Sequence, residues 1–203
     1  MKIISWQKDL SGAAILGVLR FANRILYSVA MAIIPDTKNW IWVLDRTCPE
    51  CGFTASETSY EDIPQLLLDN ADAWQSVLDR PDAAERPNES TWSALEYAAH
   101  VRDLCSVYRM RLLLMVDTDG AEFADWDQDA TAVAERYGEQ DPARVAADLL
   151  DEAEATADAF AAVELQDRSR RGHRSDGSTF TVESLARYFM HDAAHHLWDV
   201  RIR

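Results

Sequence analysis

Glycine is scarce in this chain, with seven in 203 residues and only four beyond residue 52. They form no Gly-rich dinucleotide or phosphate loop and no Gly-x-Ser-x-Gly elbow. Nucleotide-dependent chemistry, serine hydrolysis and a methyltransferase's strand and Gly-rich turn therefore have no support. Cysteine is scarcer still: Cys48, Cys51 and Cys105 are too few and too unevenly placed for a secreted disulfide scaffold, so a cytoplasmic setting is expected. Positive charge is also short, with 20 Lys and Arg against 35 Asp and Glu for a net −15. Such a chain repels phosphate backbones at long range, so neither nucleic acid nor an anionic membrane surface is expected as its partner.

An uninterrupted apolar run of membrane-spanning length is missing too. Ala13 to Ile34 comes nearest, but Arg20, Asn23 and Arg24 break it. Each charge at the centre of a spanning helix costs about 2.5 to 3.5 kcal/mol, and the same arginines spoil the apolar centre of a secretory signal. Lysine stops at Lys38; through Arg46 there are six basic residues against three acidic, and after it 14 against 32. This shift sets residues 1–39 apart, either as a leader outside the functional fold or as an extra amphipathic helix packed on the domain. One domain is expected over residues 40–203.

Hydrophobic residues make up 48% of the chain and charged residues 27%, a globular composition. Beyond Gly52 the apolar pattern has a period near 3.6 and no convincing alternation, which predicts an all-α fold. The first helix is read from about Asp62 to Arg80, with Ile63, Leu66, Leu67, Trp74, Val77 and Leu78 inward and Pro81 as its stop. The second, capped by Ser90 or Thr91, carries Trp92, Leu95, Leu104, Val107, Leu112, Leu114 and Met115 before Asp117 to Gly120 ends it. A connection of about twenty residues follows, long enough to call for a crossover or a functional role. Asp141 and Pro142 open the third helix, and the fourth starts at Thr181 with Phe180 and Leu185 as a staple. Four long amphipathic helices, with a long crossover between the second and third, describe a four-helix bundle.

His191 and His195, four residues apart on the fourth helix, share one face and can grip one divalent metal. His100 lies on an inward stripe of the second helix with Tyr97, Leu104, Val107 and Leu114, where a lone imidazole needs a partner. It stands about nine residues after its helix start and His195 about six before its helix end, so in antiparallel helices their depths agree within roughly 5 Å. Three neutral imidazoles that leave a position open are a catalytic pattern, whereas structural zinc sites are closed by four protein ligands. Zinc fits such a set, and nickel, iron and manganese fit it too, because imidazole discriminates weakly.

The segments Trp92 to Asp103 and Tyr188 to His196 resemble the two metal-ligand segments of the DinB-like superfamily. Cys48 to Phe53 and Trp126 to Asp129 are similar to one branch of it with a Cys-x-x-Cys-Gly-Phe start and a Trp-Asp-Gln-Asp loop. The resemblance spans about residues 40–201. It implies a bundle in up-down-down-up order and a divalent site held by His100, His191 and His195. It also implies relatives such as mycothiol-dependent maleylpyruvate isomerase and bacillithiol S-transferases. Many members carry Arg where this chain has His196, so the thiol is not selected.

The remaining candidates carry two readings each. In the up-down-down-up order Asp127, Asp129, Arg136 and Tyr137 return to the metal end, either to line its mouth or to cap loops. Asp103 either orients a ligand imidazole or forms a surface ion pair. Cys48 and Cys51 are half a zinc site, a redox pair or neither. Cys105 reads as a core residue, His196 as a core-edge histidine, and His173 with Arg168, Arg170, Arg171 and Arg174 as a solvated loop that also suits an anion. The expected function is a metal-dependent transferase or isomerase that joins a low-molecular-weight thiol to an electrophilic substrate. The alternative is a non-catalytic metal-binding bundle acting as a homodimer.

Overall fold

The computed structural model describes Ile33 and residues 39–201. The expectation for residues 1–39 falls, but for Ile33 and Asn39, outside the described residues, and so does most of the Ala13 to Ile34 stretch. Short 3-10 turns at Ile41–Leu44, Ala55–Glu57 and Tyr60–Asp62 lead into helix α1 at Ile63–Leu78. Then come α2 at Ala94–Asp117, strand β1 at Ala121–Phe123, α3 at Gln128–Ala134 and a 3-10 turn at Tyr137–Glu139. Helix α4 at Pro142–Ala161, a 3-10 turn at Leu165–Asp167, strands β2 at Arg171–Arg174 and β3 at Thr179–Thr181, and α5 at Val182–Arg201 complete the order. The long helices α1, α2, α4 and α5 form a four-helix bundle in which α4 and α5 each pack against both α1 and α2. No helix among the described residues is long and apolar enough to cross a membrane.

The connections fix the helix directions. Leu95 N–H donates to the Ala83 carbonyl at 2.8 Å, so α2 starts where α1 ends. The end of α2 and the start of α5 meet in a small sheet of order β1-β2-β3, β1 pairing parallel with β2 and β2 antiparallel with β3. Hence α2 and α5 are antiparallel. Tyr137, just before α4, donates its hydroxyl to Asp103 Oδ2 near the start of α2, at 2.5 Å, so α4 runs parallel to α2 and the order is up-down-down-up. The sheet corrects the expectation of no strands. Its strands have three or four residues, too few for alternation to register. Gly172 is required at its centre, since a Cβ there would lie 2.6 Å from Phe123 Cε1 and 2.7 Å from Met115 Sδ.

The crossover also holds more structure than expected. Asp127 caps α3 by accepting from Ala130 N–H at 2.9 Å, and Asp141 caps α4 by accepting from Arg144 N–H at 2.9 Å. The α2 cap is Ser93, not Ser90 or Thr91. Its hydroxyl accepts from Glu96 N–H at 3.2 Å, and Glu96 returns the bond by accepting from Ser93 N–H at 2.8 Å. Leu66 and Leu114, expected inward, are exposed, because α1 and α2 each turn a narrower stripe to the core than their apolar residues mark out. Polar ties fill some of that stripe: buried Asn70 donates to the Ala193 carbonyl of α5 at 3.1 Å and accepts from Trp74 Nε1 at 3.3 Å.

Glu96 is buried and also accepts from Arg86 Nε at 2.8 Å. Burial alone would raise its pKa, but Arg86 and Ser93 outweigh it and hold the carboxyl below its ordinary 4.5. A depressed folded pKa stabilises above the unfolded value, and that contribution is lost as pH falls through the folded one. Glu96→Gln is therefore expected to lower stability by about 1 to 3 kcal/mol at pH 7. Chemical denaturation should show the difference from the parent shrinking below pH 4.5; a pH-independent difference would contradict this role.

Candidate metal centre

Four potential ligands crowd one stretch of α5: His191, Asp192, His195 and His196. They make two pairs of spacing four, offset by one residue. Each residue turns an α-helix by about 100°, so the two pairs look in different directions. Among the described residues the donor atoms form two groups, each with all its members within 4.8 Å of one another. One holds His100, Asp192 and His196, and the other holds Cys48, Cys51, His191 and His195. The expected trio of His100, His191 and His195 is thus divided. The latter two lie together, with ring centroids 5.3 Å apart, while His100 faces His196 at 4.8 Å.

His100 is fully buried between the rings of Trp92, at 5.3 Å, and Trp126, parallel within 3° at 5.1 Å. Burial, then the charge of His196, pushes its pKa down to about 3, so it presents a neutral lone pair. Neither of its ring nitrogens has a hydrogen-bond partner among the described residues, although buried imidazoles are almost always satisfied. Opposite it, His196 Nε2 lies 3.2 Å from Asp192 Oδ1, and Nδ1 lies 3.4 Å from Asp199 Oδ2. Burial opposes a charge on His196, but the two carboxylates prevail and hold its pKa up to about 9. Burial likewise opposes the charge of Asp192, and His196 reverses it to about 2. A cation at Nε2 would displace the proton that Nε2 shares with Asp192, while Nδ1, 3.4 Å from Asp199 Oδ2, would keep an outer carboxylate partner.

Two imidazoles and a carboxylate are a donor set that zinc, iron, manganese and nickel accept. The orphaned nitrogens of His100 fit the group to a cation. Asp192 and His196 line a cavity of about 660 Å³, within the usual range for ligand pockets. His196, which the sequence reads as a core-edge histidine, joins this candidate group. Its signal was present in the Asp192–His196 spacing, but only imidazoles were counted as ligands, and the adjacent histidines left the register open.

Of the other expected residues, Asp127 and Asp129 line the cavity, as does Trp126, which stacks on His100. Arg136 does not; it is exposed and paired with Glu139. Tyr137 is buried, and its hydroxyl bonds Asp103, which also pairs with Arg102 at 2.7 Å. Asp103 thus anchors the crossover to α2. Arg168, Arg170 and Arg171 pair with Glu61, Asp167 and Asp119, while His173 is exposed on β2 against Thr179. Only Arg174 of that cluster reaches the cavity, which Arg111 lines as well. Cys105 is buried in the core, as expected. Burial pushes the Cys51 thiol up to about 11, the opposite of what a reactive thiolate needs.

A family model described as the DinB superfamily matches residues 65–200. Among solved structures the chain is similar to YfiT from Bacillus subtilis, with a TM-score of 0.63 and 16% identity over 72% of this chain and 90% of that one. YfiT is described as a probable metal-dependent hydrolase with an unusual four-helix bundle topology. No curated protein matches.

Tyr137→Phe is expected to lower stability by about 1 to 3 kcal/mol, the worth of a hydrogen bond to a carboxylate. Metal affinity should stay as in the parent. Calorimetric titration with zinc or manganese checks this, and a large loss of affinity would return Tyr137 and Asp103 to the site.

Proposed function

Starting from the fact that the chain belongs to the DinB superfamily, we propose that it is a metal-dependent transferase or isomerase that activates a low-molecular-weight thiol at His100, Asp192 and His196. The observation that carries the reading is the three-donor group, with His100 buried and the half-buried Asp192 and His196 lining an open cavity of about 660 Å³. Catalytic sites keep a coordination position for a visitor, whereas a sealed site would suit a bundle that merely holds its metal. A divalent cation there supplies positive charge that ionises a thiol or a water near neutral pH.

The chain's own residues set that chemistry. Once a cation displaces the His196 proton, one carboxylate and two imidazoles would cancel only half of a +2 charge and would leave the centre electrophilic toward the cavity. Asp199 holds the His196 ring through Nδ1. Trp92 and Trp126 fix His100 and keep bulk water from its face. Asp127 and Asp129 place carboxylates on the cavity wall, which suits the hydroxyl and amino groups of a sugar-linked thiol and not a polyanion. The volume is large enough for such a thiol together with its electrophilic acceptor.

A second reading follows from YfiT, whose description as a probable metal-dependent hydrolase would put water where the thiol is placed here. The two are separated by incubating metal-loaded protein with an electrophilic acceptor, alone and with mycothiol, bacillithiol or glutathione. Metal-dependent loss of thiol together with acceptor is the expected result. Acceptor hydrolysis at the same rate with and without thiol would support the hydrolase and overturn the transferase.

Removing a ligand should also be legible in affinity. Even the outer partners of metal-binding histidines are worth about 10- to 100-fold, so Asp199→Asn should weaken metal binding at this site by that factor and His196→Ala by more. Competition with a chromophoric chelator measures both, and unchanged affinity in His196→Ala would remove the assignment.

A further inference from the structure

The second donor group stands about 100° around α5 from the one used above, and its His191 and His195 line the same cavity as Asp192 and His196. Cys48, at 0% exposure, and Cys51 come from the turn that precedes α1, and His191 and His195, at 4% and 7%, come from α5. The turn is built to present two sulfurs on one side. Cys48 N–H donates to the Phe53 carbonyl at 2.9 Å, Gly52 N–H donates to the Cys48 carbonyl at 2.9 Å, and Gly52 closes the loop at φ +76°, which suits glycine. The two cysteines are free thiols, not a disulfide.

We infer that Cys48, Cys51, His191 and His195 form a separate, closed zinc site that is structural. Three observations support it besides the choice of ligands. Sulfur and nitrogen bound tetrahedrally at about 2.3 Å and 2.0–2.1 Å lie about 3.6 Å apart; Cys48 Sγ and His195 Nδ1 are 3.6 Å apart. The far nitrogen of His195, Nε2, faces Glu50 Oε2 at 3.4 Å, the carboxylate partner that zinc-bound histidines usually have. His191 Nε2 is buried with no hydrogen-bond partner among the described residues. A thiol–imidazole hydrogen bond explains the 3.6 Å alone but gives neither the convergence of four donors nor the unmatched nitrogen.

Charge separates the roles of the two sites. Two thiolates and two neutral imidazoles cancel a +2 ion completely, which permits burial and leaves little Lewis acidity. The set with one carboxylate leaves a net positive charge facing the cavity. The closed site joins Cys48 to His195, 147 residues further along the chain, and so clips the segment before α1 to the last helix. Trp40 packs on both ligand rings, at 5.6 Å from His191 and 5.1 Å from His195, and lines the cavity. Zinc at the clip therefore fixes both a cavity wall and the rotation of α5 that turns Asp192 and His196 toward His100.

Cobalt(II) substitution of the full chain tests this without reference to activity. The expected result is a thiolate-to-cobalt charge-transfer band and intense visible bands of tetrahedral cobalt, lost in Cys48→Ser/Cys51→Ser and kept in His100→Ala. Native thiol counting on the parent is the second measurement, independent of whether the double variant folds. Cys48 and Cys51 should resist a thiol reagent until a strong chelator is added. Absence of the charge-transfer band, or cysteines that react equally fast with metal bound, would overturn the closed site. Loss of metal in His100→Ala with the cobalt–thiolate band intact would bear on the cavity site alone.

Discussion

An α-helix advances about 100° per residue, and that angle governs how α5 spends its four ligands. His191 and His195 cannot face the same ion as Asp192 and His196, so one turn of helix serves two partners. The bundle supplies both. His100 on antiparallel α2 meets the Asp192 side, and the Cys48–Cys51 turn meets the His191 side. Every other feature of the site depends on the rotation of α5 about its axis, because an error of one residue would exchange the pairs.

Several independent contacts hold that rotation. Asn70 on α1 donates to the carbonyl of Ala193, within the turn that carries both pairs. Thr181 and Ser184 exchange side-chain bonds at the start of α5, with Ser184 N–H donating to Thr181 Oγ1 at 3.1 Å. The β1-β2-β3 sheet ties that start to the end of α2 at a point where only glycine fits, Gly172. Arg187 on the next turn donates to the Thr58 carbonyl at 2.9 Å, tying α5 again to the segment before α1.

The bundle was legible in sequence because long stripes of period 3.6 bury against one another, and the Asp141–Pro142 start stands in the structure as the spacing predicted it. The depth match between His100 and the end of α5 was also legible, since it needs only the rise per residue and antiparallel helices. Register was not. Adjacent His195 and His196 give two equally good spacings, and choosing between them requires knowing which side of α5 meets α2. The sheet and the segment before α1 were beyond reach for another reason: strands of three or four residues and single 3-10 turns are set by tertiary contacts, not by periodicity. Cys48 and Cys51 lacked only partners, which the sequence had already assigned to another site.

The central claim is that two cations bind on two faces of one helix. Anomalous diffraction from crystals of the metal-loaded protein tests it most directly. Two peaks are predicted, one among His100, Asp192 and His196 and the other among Cys48, Cys51, His191 and His195. One peak bound jointly by His100, His191 and His195 would contradict the account.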